Sequence, residues 1–383
     1  MEFAFSESQQ HWHDAAVRFA REELTDPEAA HREQRGEFWR DGYTRCARFG
    51  IAGLPVPAEY GGQGRDRLTT VAAMEGLGYG CPDTGLVFAL GASLWTVATP
   101  LVVFGTEAQK RRYLPGLCDG RLLGANAASE PEAGSDIFGM QTRAQRRGDR
   151  WILNGRKTWI TAGPIAELFL GFASTDPSKG VLGISAFLIE RGTPGFHVVR
   201  EIPKLGLRTA PMAELVFEDC ALPGESLLGR EGRGATIFQA ALEWERGAIL
   251  AGALGTMRRQ VERCIEHART RKQFGQPISK FQSISNRVVD MALRLETSRL
   301  MVYRYAWLSE QGGDATAAAS MAKLHVSECF VQNSLDAVRV FGARGYTTET
   351  GLERDLRDSV GSVIFSGTND IQRNILAQQL WQA

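Results

Sequence analysis

Hydrophobic and polar positions along this chain change their period twice. Residues 1–119 carry apolar positions at helical spacing, interrupted by Gly and Pro. Ser6 followed by Gln9 predicts a capping box opening the first helix. Pro55-Val56-Pro57 and Tyr60-Gly61-Gly62 predict a loop, and Leu86, Leu90 and Leu94 then mark a long apolar helix. Over 120–230 the runs shorten to strand type. Trp151-Ile152-Leu153 and Lys157-Thr158-Trp159-Ile160 flank Asn154-Gly155, a hairpin signal. Leu168–Phe172, Ser185–Ile189 and Glu214–Phe217 add strands between turn-rich stretches, as in a small barrel or sandwich. Over 231–383 the helical period returns. Segments near 236–268, 280–310, 314–341 and 367–380, broken clearly only at Gly312-Gly313, predict a four-helix bundle. The expected fold is mostly α with a central β domain, set between an N-terminal helical domain and a C-terminal helical bundle.

Composition narrows the function by exclusion. The 383 residues bury a large core, and 44 basic against 44 acidic side chains give no bulk field to recruit nucleic acid. Six cysteines at 46, 81, 118, 220, 264 and 329 form no close pair, which is neither a disulfide framework nor a zinc site. The six histidines lack metal spacing, so no metal is expected. No segment reads as the roughly 20 apolar residues that span a bilayer. The N-terminus carries acidic residues early and resembles no secretory or mitochondrial address, so a cytoplasmic protein is expected.

Two carboxylates and a serine carry the candidate chemistry. On a helix through Leu242-Glu243-Trp244-Glu245-Arg246, the apolar stripe Phe238, Leu242, Ile249 runs in line with Glu245. The helical neighbours of Glu245 are Ala241, Leu242, Ala248 and Ile249, so it has no ion partner on its own helix. Glu243 has Arg246 three residues on and reads as half of a surface pair. The two glutamates point roughly 200° apart and cannot enter one pocket. A carboxylate on an apolar stripe is costly unless paired or functional, and burial raises its pKa toward that of a general base. The alternative is a buried salt bridge to Arg294 or Arg299.

Four separated runs resemble the acyl-CoA dehydrogenase family. They are Ala128-Ser129-Glu130-Pro131-Glu132-Ala133-Gly134-Ser135-Asp136, Asn154-Gly155-Arg156-Lys157-Thr158-Trp159-Ile160-Thr161, Arg271-Lys272-Gln273-Phe274-Gly275 with Phe281-Gln282, and Ser366-Gly367-Thr368. Each alone is weak; all four in order span the chain. The resemblance implies FAD bound without a Rossmann fingerprint, and no Gly-x-Gly-x-x-Gly follows a strand here. By position, Ala128, Ser129, Gly134 and Ser135 would lie along the flavin. Ser129 would bond its edge, Trp159 cover one face and Thr161 supply a second bond. Arg271, Gln273, Phe274 and Gln282 match positions that reach the adenosine-diphosphate half of FAD held by a neighbouring subunit, which implies a homotetramer or dimer. Gly342 matches a glycine-rich cofactor loop. Arg339 departs from the glutamine frequent at its position, and Ala343 replaces a frequent glycine. Thr368 and Asp370 match further cofactor-side positions.

The position before Gly-Thr often carries the family's catalytic glutamate, and here it is Ser366, which cannot act as a base unaided. The isovaleryl and long-chain branches place that glutamate where Glu245 stands. The resemblance therefore implies dehydrogenation of an acyl thioester to its 2,3-enoyl form with Glu245 as base. The electrons would pass to an electron-transferring flavoprotein. The acyl group would sit on CoA or on an acyl carrier protein, since the Glu-Trp-Glu-Arg run resembles the carrier-dependent branch of polyketide pathways. A flavin monooxygenase of the same fold and a redox-inactive acyl-binding protein are the rival readings. Phe88 and Trp95, on the helix expected to close the pocket, suggest a short chain or simple core.

Overall fold

The computed structural model describes residues 4–382. The N-terminal region holds α1 (Glu7–Glu23), α2 (Ala29–Arg35), α3 (Arg40–Phe49), α4 (Arg67–Gly80), α5 (Thr84–Ser93), α6 (Thr99–Phe104) and α7 (Glu107–Asp119). Ser6 and Gln9 form the expected capping box on α1. Asp66 and Asp83 cap α4 and α5, accepting from Thr69 N at 2.6 Å and Leu86 N at 3.0 Å. A π-type turn over Leu94–Ala98 joins α5 to α6, so one continuous apolar helix runs from Thr84 to Phe104. That helix is long and apolar enough to cross a membrane, which corrects the sequence reading. Its apolar character has another cause, since 78% of its most apolar window is buried within the fold. Trp95, at its centre, is fully buried.

The middle region is β1 (Gly124–Ala127), β2 (Arg143–Arg147), β3 (Arg150–Thr161), β4 (Leu168–Ser174), β5 (Ile184–Glu190), β6 (Phe196–Glu201), β7 (Met212–Pro223) and β8 (Leu227–Leu228). They form one sheet in the order β6-β7-β3-β2-β4-β5-β8, with β1 parallel to β4. The hairpin expected at Asn154-Gly155 is not one. β3 runs unbroken through it, and the turn lies six residues earlier at Gly148-Asp149, where Arg147 pairs with Arg150. Asn154-Gly155 instead forms a bulge against β7. The Asn154 side chain exchanges two hydrogen bonds with Asp219 there, and a Cβ on Gly155 would lie 2.4 Å from the Thr142 hydroxyl.

The C-terminal region holds α8 (Gly234–Ala248), α9 (Ala251–Thr270), a two-strand ribbon of β9 (Lys272–Gln273) and β10 (Gln276–Pro277), α10 (Gln282–Glu310), α11 (Thr316–Phe341), α12 (Ala343–Tyr346), α13 (Leu352–Val360) and α14 (Asn369–Gln382). The segment read as one helix over 236–268 is thus two, parted at Ile249-Leu250, and α13 went unread. α9, α10 and α11 pack on one another, and α11 also meets α8, α13 and α14.

Backbones approach closely where α4 crosses α9. A Cβ on Gly78 would sit 2.0 Å from the Gly252 carbonyl oxygen, and one on Gly255 would sit 2.2 Å from both Glu75 O and Tyr79 N. These contacts are backbone and cannot swing aside. Gly255→Ala is expected to lower stability by at least ~1–3 kcal/mol through forced separation of the two helices, measured as a lower urea midpoint at unchanged m-value.

Candidate active site

One half of the site is built on β3. Lys157 is fully buried, and its Nζ donates to Glu130 Oε1 at 2.8 Å and to Ala128 O at 2.9 Å. The Glu130 carboxylate also accepts from the backbone N–H of Thr142, at 3.0 Å, and Gln141, at 2.5 Å. Burial alone would raise the Glu130 pKa, but the Lys157 charge and these bonds outweigh it and hold the carboxyl below its ordinary range. Burial pushes Lys157 the other way, down to about 8, against the attraction of Glu130. The pair fastens the 128–130 segment to the strand, and Thr158 N donates to Ser129 O at 2.9 Å beside it.

Two residues further on, a second bulge between Lys157 and Ile160 sets Trp159 at φ 58° and leaves its indole 50% exposed. A left-handed tryptophan costs on the order of 1–3 kcal/mol, and an exposed indole gains nothing back from the core. This is not the packed aromatic of an ordinary strand. Gly134 and Ser135 are exposed on the neighbouring loop, and a Cβ on Gly134 would meet nothing within 4 Å. An open aromatic face flanked by Ser129 and Thr161 fits an isoalloxazine ring.

The other half is built on α8. Phe238, Ala241 and Leu242 are buried, and Glu245 follows on the same stripe with only partial solvent contact. Burial raises its carboxyl from about 4.5 to about 6, and the Ser366 hydroxyl, Arg246 and Lys323 offset part of that rise. Neither suggested ion partner reaches it: Arg294 pairs with Asp336 at 2.9 Å, and Arg299 pairs with Glu75. The Glu243–Arg246 surface pair is also absent. Glu243 binds Arg67 at 2.9 Å, whereas Arg246 is buried with its Nε 3.4 Å from the Ser366 carbonyl oxygen.

Ser366 stands at φ 59°, and its carbonyl oxygen also accepts from Gln372 Nε2 at 3.1 Å. Its hydroxyl is buried without a well-aligned hydrogen bond, so its effect on Glu245 is that of a nearby dipole rather than a directed bond. Phe365 packs on Phe88 with ring centres 4.6 Å apart, and Trp244 stacks on Trp95 at 5.2 Å with Arg67 over its other face at 3.8 Å. A small apolar cavity of about 30 Å³ is lined by Phe88, Phe365, Ile249 and Phe330.

The remaining candidate positions gather elsewhere. Arg271, Gln273 and Phe274 project on the β9–β10 ribbon, all exposed, with Phe274 at φ 50° and 93% exposed. Gln282 opens α10 beside it. Arg339, Gly342 and Ala343 lie at the end of α11, where Phe341 stacks on His267 at 4.1 Å, and Arg339 bonds Asp336 at 3.2 Å. No hydrogen bond, ion pair or ring contact joins this group to Ser129, Trp159 or Thr161 among the described residues. Thr368 caps α14, accepting from Ile371 N at 3.3 Å, and Asp370 is exposed.

Models of the acyl-CoA dehydrogenase N-terminal, middle and C-terminal domains match residues 6–121, 125–220 and 232–381. The chain belongs to the acyl-CoA dehydrogenase family. Within it, the chain is 44% identical over 380 residues to an L-prolyl-[peptidyl-carrier protein] dehydrogenase of a Serratia species, covering 99% of this chain and 98% of that protein. Among solved structures it resembles the prolyl acyl carrier protein oxidase AnaB, with a TM-score of 0.96 and 47% identity over 98% of this chain and all of that one. It also resembles PigA solved with FAD and proline, with a TM-score of 0.97 and 44% identity over 100% and 99% of the two chains.

Sequence reasoning did not find the Lys157–Glu130 anchor or the burial of Arg246 and Lys323. The anchor had a signal, since both residues lie inside family-like runs. Arg246 had none, because an arginine three residues from a glutamate reads as surface.

The raised Glu245 pKa carries a stability consequence of fixed sign. Its folded value, about 6, exceeds the ordinary value of about 4.5 expected when unfolded, so the unfolded chain releases its proton first as pH rises. The charge therefore costs nothing below about pH 4.5 and its full ~1–2 kcal/mol above about pH 6. Glu245→Gln is expected to raise the urea midpoint at about pH 8 and to leave it unchanged at about pH 4.

Proposed function

We propose that this chain is an FAD-dependent dehydrogenase of acyl thioesters, and that the acyl group is L-prolyl carried on a peptidyl carrier protein. The observation that carries the reaction class is Glu245: a carboxyl on an apolar stripe with only partial solvent contact and, among the described residues, no ion pair, poised near 6 beside the Ser366 loop. The full-length likeness to prolyl-carrier-protein dehydrogenases supports the substrate. The aromatic walls of Phe88 and Phe365 on the small cavity suit a small ring better than a long chain.

In this reading Glu245, ionised near neutral pH, takes the α-proton of the thioester. Bound FAD would supply the acceptor for the β-hydrogen, which leaves as hydride, so that a Cα=Cβ bond forms and two electrons leave the substrate. Trp159 would cover the ring and Ser129 and Thr161 would bond its edge, with the Lys157–Glu130 pair holding the segment that carries Ser129. A base matched to the working pH is the economical choice for proton abstraction. Electrons then pass to an electron-transferring flavoprotein in the cytoplasm. The description of AnaB as an oxidase raises dioxygen as the alternative acceptor, and anaerobic against aerobic turnover with and without that flavoprotein separates the two.

The assembly is a homotetramer, or at least a dimer. Val289, Leu293, Leu300 and Trp307 are each more than half exposed on α10, and their spacing of four and seven residues places them within about 40° of one another. Such a seam is laid out for a helix of a second copy, and the exposed Arg271–Phe274 ribbon then completes a neighbour's FAD site. Leu293→Glu with Trp307→Glu is expected to break the oligomer on a sizing column and to cost FAD with it; a monomer that keeps FAD tightly would overturn this part.

Purified protein should be yellow, and L-prolyl carrier protein should bleach it anaerobically, whereas a panel of acyl-CoA esters should not. Glu245→Gln should slow that bleaching at least ~100-fold while FAD content stays near native. Ser366→Ala should be mild. Glu245→Gln with Ser366→Glu should recover part of the rate, because the two side chains converge on one point. Native-rate bleaching by Glu245→Gln would sink the mechanism.

A further inference from the structure

Lys323 lies on α11 where that helix meets both α8 and α14. It is fully buried, and its Nζ donates to Asn369 Oδ1 at 2.8 Å, an oxygen that also accepts from the Ser327 hydroxyl at 3.0 Å. Asn369 is three residues beyond Ser366, so the bond ties the lysine to the loop facing Glu245. No carboxylate stands within ion-pair distance of Lys323 among the described residues, and none stands within that distance of Arg246, itself only 7% exposed. The other fully buried lysine, Lys157, has Glu130 at 2.8 Å. A buried ammonium is ordinarily paired in that way, because leaving water costs several kcal/mol per ion.

We propose that Lys323 is a positioning residue for the base: with Arg246 it forms a buried cationic pair whose shared counter-charge is the Glu245 carboxylate, and it keeps that carboxylate ionised inside an apolar site. The inference rests on Glu245 being the base, which it deepens. Charges facing the three groups are few. Glu245 feels Ser366, Arg246 and Lys323; Lys323 feels Glu245, Arg246 and, from an exposed position five residues along its own helix, Glu328, which is engaged with Arg373. The influence is mutual. Burial drives Lys323 down to about 7 against the pull of Glu245, while the same pull, seen from the carboxylate, offsets its own burial. Glu245 therefore sits near 6 rather than higher because the Ser366 hydroxyl and two cations with no ion-pair partner of their own among the described residues offset its burial. The Lys323 Nζ is spent on Asn369, so its proposed influence on the reaction runs through Glu245.

The test is a titration of Glu245 itself. Its protonated C=O stretch is identified in pH-difference infrared spectra by its loss in Glu245→Gln. In Lys323→Met, which keeps length without charge, and Lys323→Gln, which keeps a donor for Asn369, the midpoint is expected to rise by at least ~1 unit. The acid limb of flavin reduction by L-prolyl carrier protein should move with it. A folded, FAD-loaded Lys323 variant with an unmoved midpoint overturns the proposal. Should both variants fail to fold, reciprocity supplies the measurement. Glu245→Gln must then lower the midpoint of the Lys323 ¹³Cε resonance, one of seven lysine signals. An unmoved resonance overturns the proposal equally. Native-rate flavin reduction by Glu245→Gln would remove the base assignment, yet leave both midpoints to report whether the two groups are coupled.

Discussion

The site depends on α8 being held rigidly between sheet and bundle. At one end Phe238 meets Phe138 and Phe172 edge-on, with ring centres 6.0 Å and 5.4 Å apart. At the other, Trp244 is stacked between Trp95 and Arg67, and Tyr305 lies so close to Gly247 that a Cβ there would be 1.9 Å from its ring. A helix fixed at both ends by rings can carry an unpaired carboxylate that a looser helix would rotate out to water. Packing at this precision is stiff to sub-ångström change, so the aromatic contacts hold Glu245 in place among Ser366, Arg246 and Lys323.

Backbone strain collects around the same chemistry. Among the described residues, six other than glycine have positive φ, and Trp159, Ala162, Phe274 and Ser366 are four of them. Three of these present a group that the core does not claim, namely an open indole, a projecting ring and a hydroxyl facing the carboxylate, while Ala162 makes a buried bend after Thr161. Strain of this kind persists only where surrounding structure overrides it. Around Trp159 the overriding contacts are the Lys157–Glu130 pair and the bond from Thr158 to Ser129.

Much of this was legible in the sequence, and the failures have physical causes. The three-part α, β, α order followed from periodicity, and the isolation of Glu245 followed from its four apolar helical neighbours. Asn154-Gly155 misled because a glycine that permits a turn equally permits a bulge, and only the strand across the sheet decides between them. The break at Ile249-Leu250 was hidden because both residues are apolar and continue the helical stripe. Arg246 misled because spacing along one helix says nothing about a competing partner, and Arg67 on α4 took Glu243 instead. The Thr84–Phe104 helix shows the same limit from the other side: its composition suits a lipid interior, and only the packing around it reveals that protein fills that place.

The ribbon that carries Arg271 and Phe274 stands away from the strand that carries Trp159 within one chain. If each FAD site takes its base from one subunit and its ribbon from the next, the unit of inheritance and the unit of catalysis differ. A chain defective at Glu245 and a chain defective at Arg271 would each be inactive alone. Mixed in one dimer, they would place both faults in a single site and leave the other whole, so two damaged alleles would complement where either by itself fails.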